Sequence, residues 1–177
     1  TGVDPIEPPT IDTAPYKDAA ILSGTYFIYP ADAETYLNNM AQNDGYAVYI
    51  DSAEKTKIQG SNTSLTGSLV TMGDLDISGG TYTASNNYAA IIVHGDLKIA
   101  GGATINGIIY VTGSTSFGSG NNVINGSLIS AGGASVTDVT GNATINYDPN
   151  LATIWPDLTG LNTTSTEEPE VILWEEE

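Results

Sequence analysis

The sequence predicts a mainly β protein: a parallel β-helix, or solenoid, of four to five coils with a small strand–helix–strand unit capping its N-terminal end. Three observations predict it. From Ile58 onward, short apolar triplets alternate with Gly, Asn, Ser and Thr. These triplets recur with a period near 20 residues. Each period holds two or three stretches of four or five residues with period-2 alternation, and no space for a helix of ten or more. Stacking one such copy on the next at about 4.8 Å buries one face of every strand.

The elements follow in order. Residues 1–15 carry Pro5, Pro8, Pro9 and Pro15 among acids and Thr and read as an extended arm or linker. Residues 16–57 read as an α/β capping unit. Within it, residues 24–29 and 46–50 are rich in aromatic and β-branched residues, as strands are. Between them Ala33, Tyr36, Leu37, Met40 and Ala41 predict a helix from about Asp32 to Gln42, stopped at Asn43-Asp44-Gly45.

Residues 58–148 hold the coils. Four copies align on a glycine, at Gly73, Gly95, Gly113 and Gly132, with intervals of 22, 18 and 19 residues. A second register, Leu65-Thr-Gly67, Ile105-Asn-Gly107, Ile124-Asn-Gly126 and Ile145-Asn146, leaves one degenerate copy around Ser85 to Asn87. Counting from the aligned glycine, positions −4, −2, +2 and +4 point inward. The core columns are therefore Leu69, Thr71, Leu75, Ile77; Ile91, Val93, Leu97, Ile99; Ile109, Val111, Thr115, Phe117; and Leu128, Ser130, Ala134, Val136. The glycine occupies a corner that needs a positive φ or a close backbone approach. The outward +3 column stacks Asp76, Lys98, Ser116 and Ser135, and predicts an ion pair between Asp76 and Lys98. Residues 149–177 form a closing segment and acidic tail: Pro149 interrupts the strand ladder, and Val171-Ile-Leu-Trp174 is expected to dock as a final strand.

Charge composition then limits function. Asp and Glu number 21 against four Lys and no Arg, giving a net charge of −17 although only 14% of residues are charged. Four cations cannot build a phosphate-tracking groove or a polybasic lipid contact, so nucleic acid and anionic membrane are excluded as partners. With no Cys, disulfides, thiolate metal sites and Cys nucleophiles are excluded as well. No apolar run reaches the roughly 20 residues that cross a bilayer, and no basic-then-apolar leader opens the sequence. The chain is expected to be soluble, or to have its targeting segment outside this sequence.

The strand–helix–strand region, the Gly-Asp-Leu-x-Ile and Ile-Asn-Gly coils, Tyr147-Asp-Pro149 and the terminal Val171-Ile-Leu-Trp174 followed by acids together carry a resemblance. Over residues 16–177 the chain resembles the β-solenoid domain that follows a pilin-like, membrane-inserted helix in PilX-like type IV pilus-assembly proteins of bacteria. The resemblance implies a non-enzymatic scaffold or minor-pilin-like part of an extracellular filament, with other filament subunits, or copies of itself, as partners. Bactofilins, cytoskeletal β-solenoids with more uniform coils and no capping unit, are the nearest alternative.

Candidate chemistry is sparse. The single His94 has no acid pair fixed near it, and no Gly-x-Ser-x-Gly elbow precedes a helix, so serine hydrolysis is rejected. Lyase action on uronates lacks the Arg that would neutralise the sugar acid. Asp74 and Asp96 share a corner column at about 5 Å, the separation of adjacent coils. They read first as turn residues that accept local backbone N–H groups, second as a calcium site, and last as a glycosidase pair. Tyr26, Tyr29, Tyr36, Tyr46 and Tyr49 gather in the capping unit and read as rings over the solenoid end. Tyr82, Tyr88 and Tyr110 lie on or near the coils and are the candidates for an exposed interaction face, with carbohydrate as its ligand. Asn-x-Ser/Thr triplets at Asn62, Asn125, Asn142 and Asn162 occur at the frequency expected by chance in so polar a chain.

Overall fold

A computed structural model describes residues 10–39, 43–60, 63–85, 88–132 and 142–150. Its element order is α1 (Ala14–Ser23), β1 (Tyr26–Phe27), α2 (Pro30–Asn38), β2 (Asn43–Ile50), β3 (Thr56–Ile58), β4 (Ser64–Thr71), β5 (Leu75–Ser78), β6 (Thr81–Thr83), β7 (Ile91–Val93), β8 (Leu97–Ala100), β9 (Thr104–Val111), β10 (Thr115–Phe117), β11 (Asn121–Ser130) and β12 (Asn142–Tyr147). Every strand pairing is parallel. The long sheet runs β1-β2-β4-β6-β9-β11-β12, with β7 between β4 and β9, and the short sheet runs β10-β8-β5-β3. The chain is thus a β-solenoid of about five turns.

Each coil has three legs. The long strands bend at Gly67, Gly107 and Gly126, whose φ values of 149°, 134° and 153° are ones that side-chain-bearing residues rarely adopt. The first leg precedes the bend, the second follows it, and the short sheet is the third. In the third coil a break between β6 and β7 replaces the bend, where the second register loses a copy.

The inward columns match the alternation. Leu69, Ile91 and Ile109 stack in register with Leu128; Leu75 and Leu97 stack with Thr115. Thr71, Ile77, Val93, Ile99 and Val111 are also buried, and Phe117 and Leu128 pack against the same core. At roughly 1.5–3 kcal/mol for each fully buried aliphatic side chain, this column is the dominant stabilising term. The corner glycines act through close approach. A Cβ on Gly95 would lie 2.6 Å from Asp74 Oδ1 and 2.9 Å from Asp74 N, and one on Gly73 would lie 2.5 Å from Glu54 O.

The boundary between cap and coils falls earlier than residue 58. Val48 and Ile50 pair in register with Leu69 and Thr71, and Thr56 and Ile58 with Leu75 and Ile77, so β2 and β3 already form a coil. The corner of this coil, 51–55, lacks the Gly-Asp-Leu signature that marks the later ones, which hides it from the repeat. The N-terminal end is closed by α2 and β1. Ala33 and Leu37 of α2 lie on the core, and Phe27 and Tyr36 pack beside them. α2 begins at Pro30 and ends at Asn38, starting before the predicted Asp32.

Helix α1 straddles the expected boundary between the arm, residues 1–15, and the capping unit, residues 16–57, where no helix is predicted. Pro15 sits in its first turn and Gly24 ends it in the left-handed conformation, φ 72°, with its N–H on Ala20 O and Ile21 O. Tyr16 and Ala20, one helical turn apart, are its buried residues. With Ile11 they cover an outward apolar face formed by Ala47, Tyr49, Val70, Ile92 and Tyr110 on the second leg.

The predicted Asp76–Lys98 ion pair is replaced. The two residues are register neighbours as expected, but the Asp76 carboxylate meets Lys55, 3.3 Å away. Lys55 stands just before β3, the strand that flanks Asp76 on the side away from Lys98, and approaches the carboxylate from that preceding coil. α2 also stops short of the predicted Gln42, because Asn39 already leaves the helical conformation at the C-cap. The expectations for residues 1–9, Met40, Ala41, Ala134, Ser135, Val136, Val171–Trp174, Asn62 and Asn162 lie outside the described residues.

Candidate functional site

The Asp corner is a hydrogen-bond ladder. The backbone N–H of Asp96 donates to Asp74 Oδ1 at 2.9 Å, and the N–H of Ser114 donates to Asp96 Oδ1 at 2.8 Å. Each carboxylate therefore holds the corner of the next coil, because Asp in a turn is a short acceptor beside backbone donors. Among the described residues no group of three or more His, Asp or Glu side chains converges to hold a cation. One oxygen of each Asp faces an amide, so the pair does not confront each other across a groove as glycosidase acids do.

The coil tyrosines separate. Tyr82 is in register with Leu65 and Ile105, so it points into the solenoid and is 0% exposed, with its OH lacking a hydrogen-bond partner. Burial pushes its ionisation well above the usual range for a phenol. Tyr110 does point outward, yet it is 3% exposed, because it belongs to the apolar face under α1 and Ile11. Neither can join an exposed interaction face: alternation placed Tyr82 inside, and Tyr110 is buried within the outward apolar cluster that α1 and Ile11 help to form. Tyr88 remains at the surface, 49% exposed, with its ring edge-on to Tyr16 at 5.5 Å. It lines a cleft of about 140 Å³ with Pro15, Tyr16, Ala19, Ser68 and Ser85. Tyr16 OH accepts the Ala89 N–H at 3.3 Å, and burial raises its pKa to about 12.

Capping-unit tyrosines divide as well. Tyr36 packs against Phe27 at 5.3 Å over the core end, as a capping ring does, while Tyr29 is exposed. Tyr26 instead stacks on Tyr49 at 6.0 Å on the lateral face. There Asp51 Oδ2 receives both Lys17 Nζ at 2.7 Å and Tyr26 OH at 2.6 Å. The Lys17 hydrogen bond, seconded by Tyr26, holds the Asp51 carboxyl below the usual carboxylate range. This cluster ties α1 to β1 and to the first coil. His94 sits half-buried at its corner with Nε2 unpartnered, and desolvation lowers its pKa.

The most regular surface is one the candidate residues did not include. Outward on the first leg, Ser64, Thr81, Thr104, Val123 and Thr144 form one column, and Thr66, Thr83, Asn106, Asn125 and Asn146 the next. The amides of the second column are joined. Asn106 Nδ2 donates to Thr83 Oγ1 at 3.0 Å, Asn125 Nδ2 to Asn106 Oδ1 at 2.8 Å, and Asn146 Nδ2 to Asn125 Oδ1 at 2.8 Å. From β4 to β12 no charged residue interrupts either column; Asp44 of the first coil is the register neighbour of Thr66 at the start of the second. The signal was present in the Ile-Asn-Gly register, where Asn follows each inward Ile and must therefore point out.

Residues 81–142 match a family model described as a domain of unknown function, DUF8470. The match begins at β6 and ends at the first residue of β12, so it spans the third to fifth coils. The chain matches no curated protein and no solved structure.

Proposed function

We propose that the chain is a non-enzymatic structural or adhesive β-solenoid of an extracellular, type IV pilus-like filament or cell surface. The observation that carries this reading is the uncharged, mostly Ser/Thr/Asn face of the first leg from β4 to β12, locked by its own amide ladder. Such a face offers a rigid surface with little rotamer entropy left to lose on contact. Of the five candidate residues Asp74, Asp96, Tyr82, Tyr88 and Tyr110, Tyr88 lines a cleft, and its volume of about 140 Å³ is well under the roughly 300 Å³ at which ligand pockets begin. That disfavours the polysaccharide-degrading alternative. A bactofilin-like polymer needs two open ends, and α2 with β1 covers one of them.

Protease shaving of intact cells that produce the protein, with immunogold labelling of their surface filaments, tests the reading. Loss of the protein on shaving, with label along filaments, is the expected result. A protein wholly protected until lysis, with unlabelled filaments, would reject the reading.

A further inference from the structure

The two ends of the solenoid are finished differently. At the N-terminal end the short sheet's edge strand β3 has its outward N–H groups occupied by α2. Glu34 Oε1 accepts the Lys57 N–H at 2.7 Å, and Asn38 Oδ1 accepts the Gln59 N–H at 3.0 Å. Two helix residues four apart thus serve two strand residues two apart, since both spacings are about 6 Å. At the other end β12 pairs with β11 alone among the described residues. Ile145 continues the inward column from Ile124, which is 1% exposed, yet is itself 49% exposed. Asn146 passes its amide down the ladder to Asn125, and among the described residues nothing donates to its own Oδ1. A half-covered core residue and the end of an amide ladder thus fall side by side, at Ile145 and Asn146, on a strand with no second partner among the described residues.

We infer that β12 is a strand-accepting site, and that its occupant is the segment around Leu161-Asn162 of the same chain, adding a further rung to the first leg. The first-leg inward residues Leu65, Tyr82, Ile105, Ile124 and Ile145 follow one another at 17 to 23 residues, each with Thr or Asn next. Leu161 comes 16 residues after Ile145 and is followed by Asn162, so the apolar-then-Asn pattern returns within one residue of the shortest coil. Leu158-Thr159-Gly160 also has the motif, but it leaves 11 residues after Asn146 for the return, where a parallel crossover takes about a dozen or more. Leu161-Asn162 leaves 14. In this arrangement Leu161 covers Ile145 and the Asn162 amide donates to Asn146 Oδ1. A second copy is the poorer occupant, because the end it would present has its short-sheet donors taken by Glu34 and Asn38.

Hydrogen exchange of the peptide spanning β12, measured on the full chain, tests the assignment. Asn162→Asp removes the donor at little change in volume, and is expected to speed exchange across Asn142–Tyr147 about tenfold while β9 and β11 stay protected. Removing residues 171–177, or substituting Thr159→Val, is expected to leave β12 as protected as in the intact chain. Deprotection by either of these in place of Asn162→Asp would overturn the proposal in favour of another tail segment. Unchanged exchange in a chain ending at Asn150 would overturn it outright. So would protection that rises with protein concentration and is lost with Ile145→Asp, since the occupant would then be a second copy.

Discussion

Asp74 and Asp96 show how one residue type can carry a structural role that looks like a site. Their carboxylates stand one coil apart, yet each spends Oδ1 on the backbone N–H above it. The role calls for an acceptor and makes no use of the charge. Asp74→Asn, which keeps Oδ1, is therefore expected to melt within a degree or two of the unmodified protein, whereas Asp74→Ala should lose about 1 kcal/mol by strandng the Asp96 amide. Calcium titration of the melting curve completes the measurement: a calcium-dependent rise abolished by Asp74→Asn would return the corner to the cation reading. The same scale explains why Tyr82 misled. Its neighbours in sequence, Thr81 and Thr83, mark it as the inward member of an alternating triplet, but a tyrosine suggests a surface until the register with Leu65 and Ile105 is known.

At the scale of elements, the edges decide. A β-solenoid ends in unpaired N–H and C=O groups, which recruit further strands unless they are covered. Helix α2 covers one edge with the side chains of Glu34 and Asn38, a device no repeat analysis would reveal because it joins a helix face to a strand 23 and 21 residues away. Replacing both with Ala is expected to cost about 1–2 kcal/mol in total, from two partly exposed hydrogen bonds to backbone. Exchange at Lys57 and Gln59 should accelerate while β8 is unaffected. Equal acceleration in β8 would mean that α2 stabilises the coil stack as a whole rather than its edge. Helix α1 illustrates the complementary limit. Pro15 and Gly24 bracket it, but the four prolines nearby draw the eye to an arm, and the apolar face it covers is assembled from several coils.

For the whole molecule, charge is the global variable. The net charge of −17 is opposed by four Lys, of which Lys17 and Lys55 form the ion pairs found among the described residues, at 2.7 and 3.3 Å. Six of the 21 acids fall at 167–177, and from β4 to β12 the first-leg columns carry none. Self-repulsion should outweigh two surface pairs worth at most about 1 kcal/mol each. Raising sodium chloride from low to near-molar concentration, where the Debye length shrinks to about 3 Å, is then expected to raise Tm by about 2–4 °C for each kcal/mol of repulsion relieved. A falling Tm would assign the larger share to the ion pairs. The sequence by itself determined the solenoid, its inward columns and its corner glycines, because those depend on a period of two within a strand and a period near 20 between coils, both local and repeated. The tertiary structure alone decided what covers the coils: α1 on the outward apolar face at β2, α2 on the edge of β3, Lys55 on Asp76, and the first coil hidden in the cap. Each of those is a single long-range contact, made once, and a pattern made once leaves no period to read.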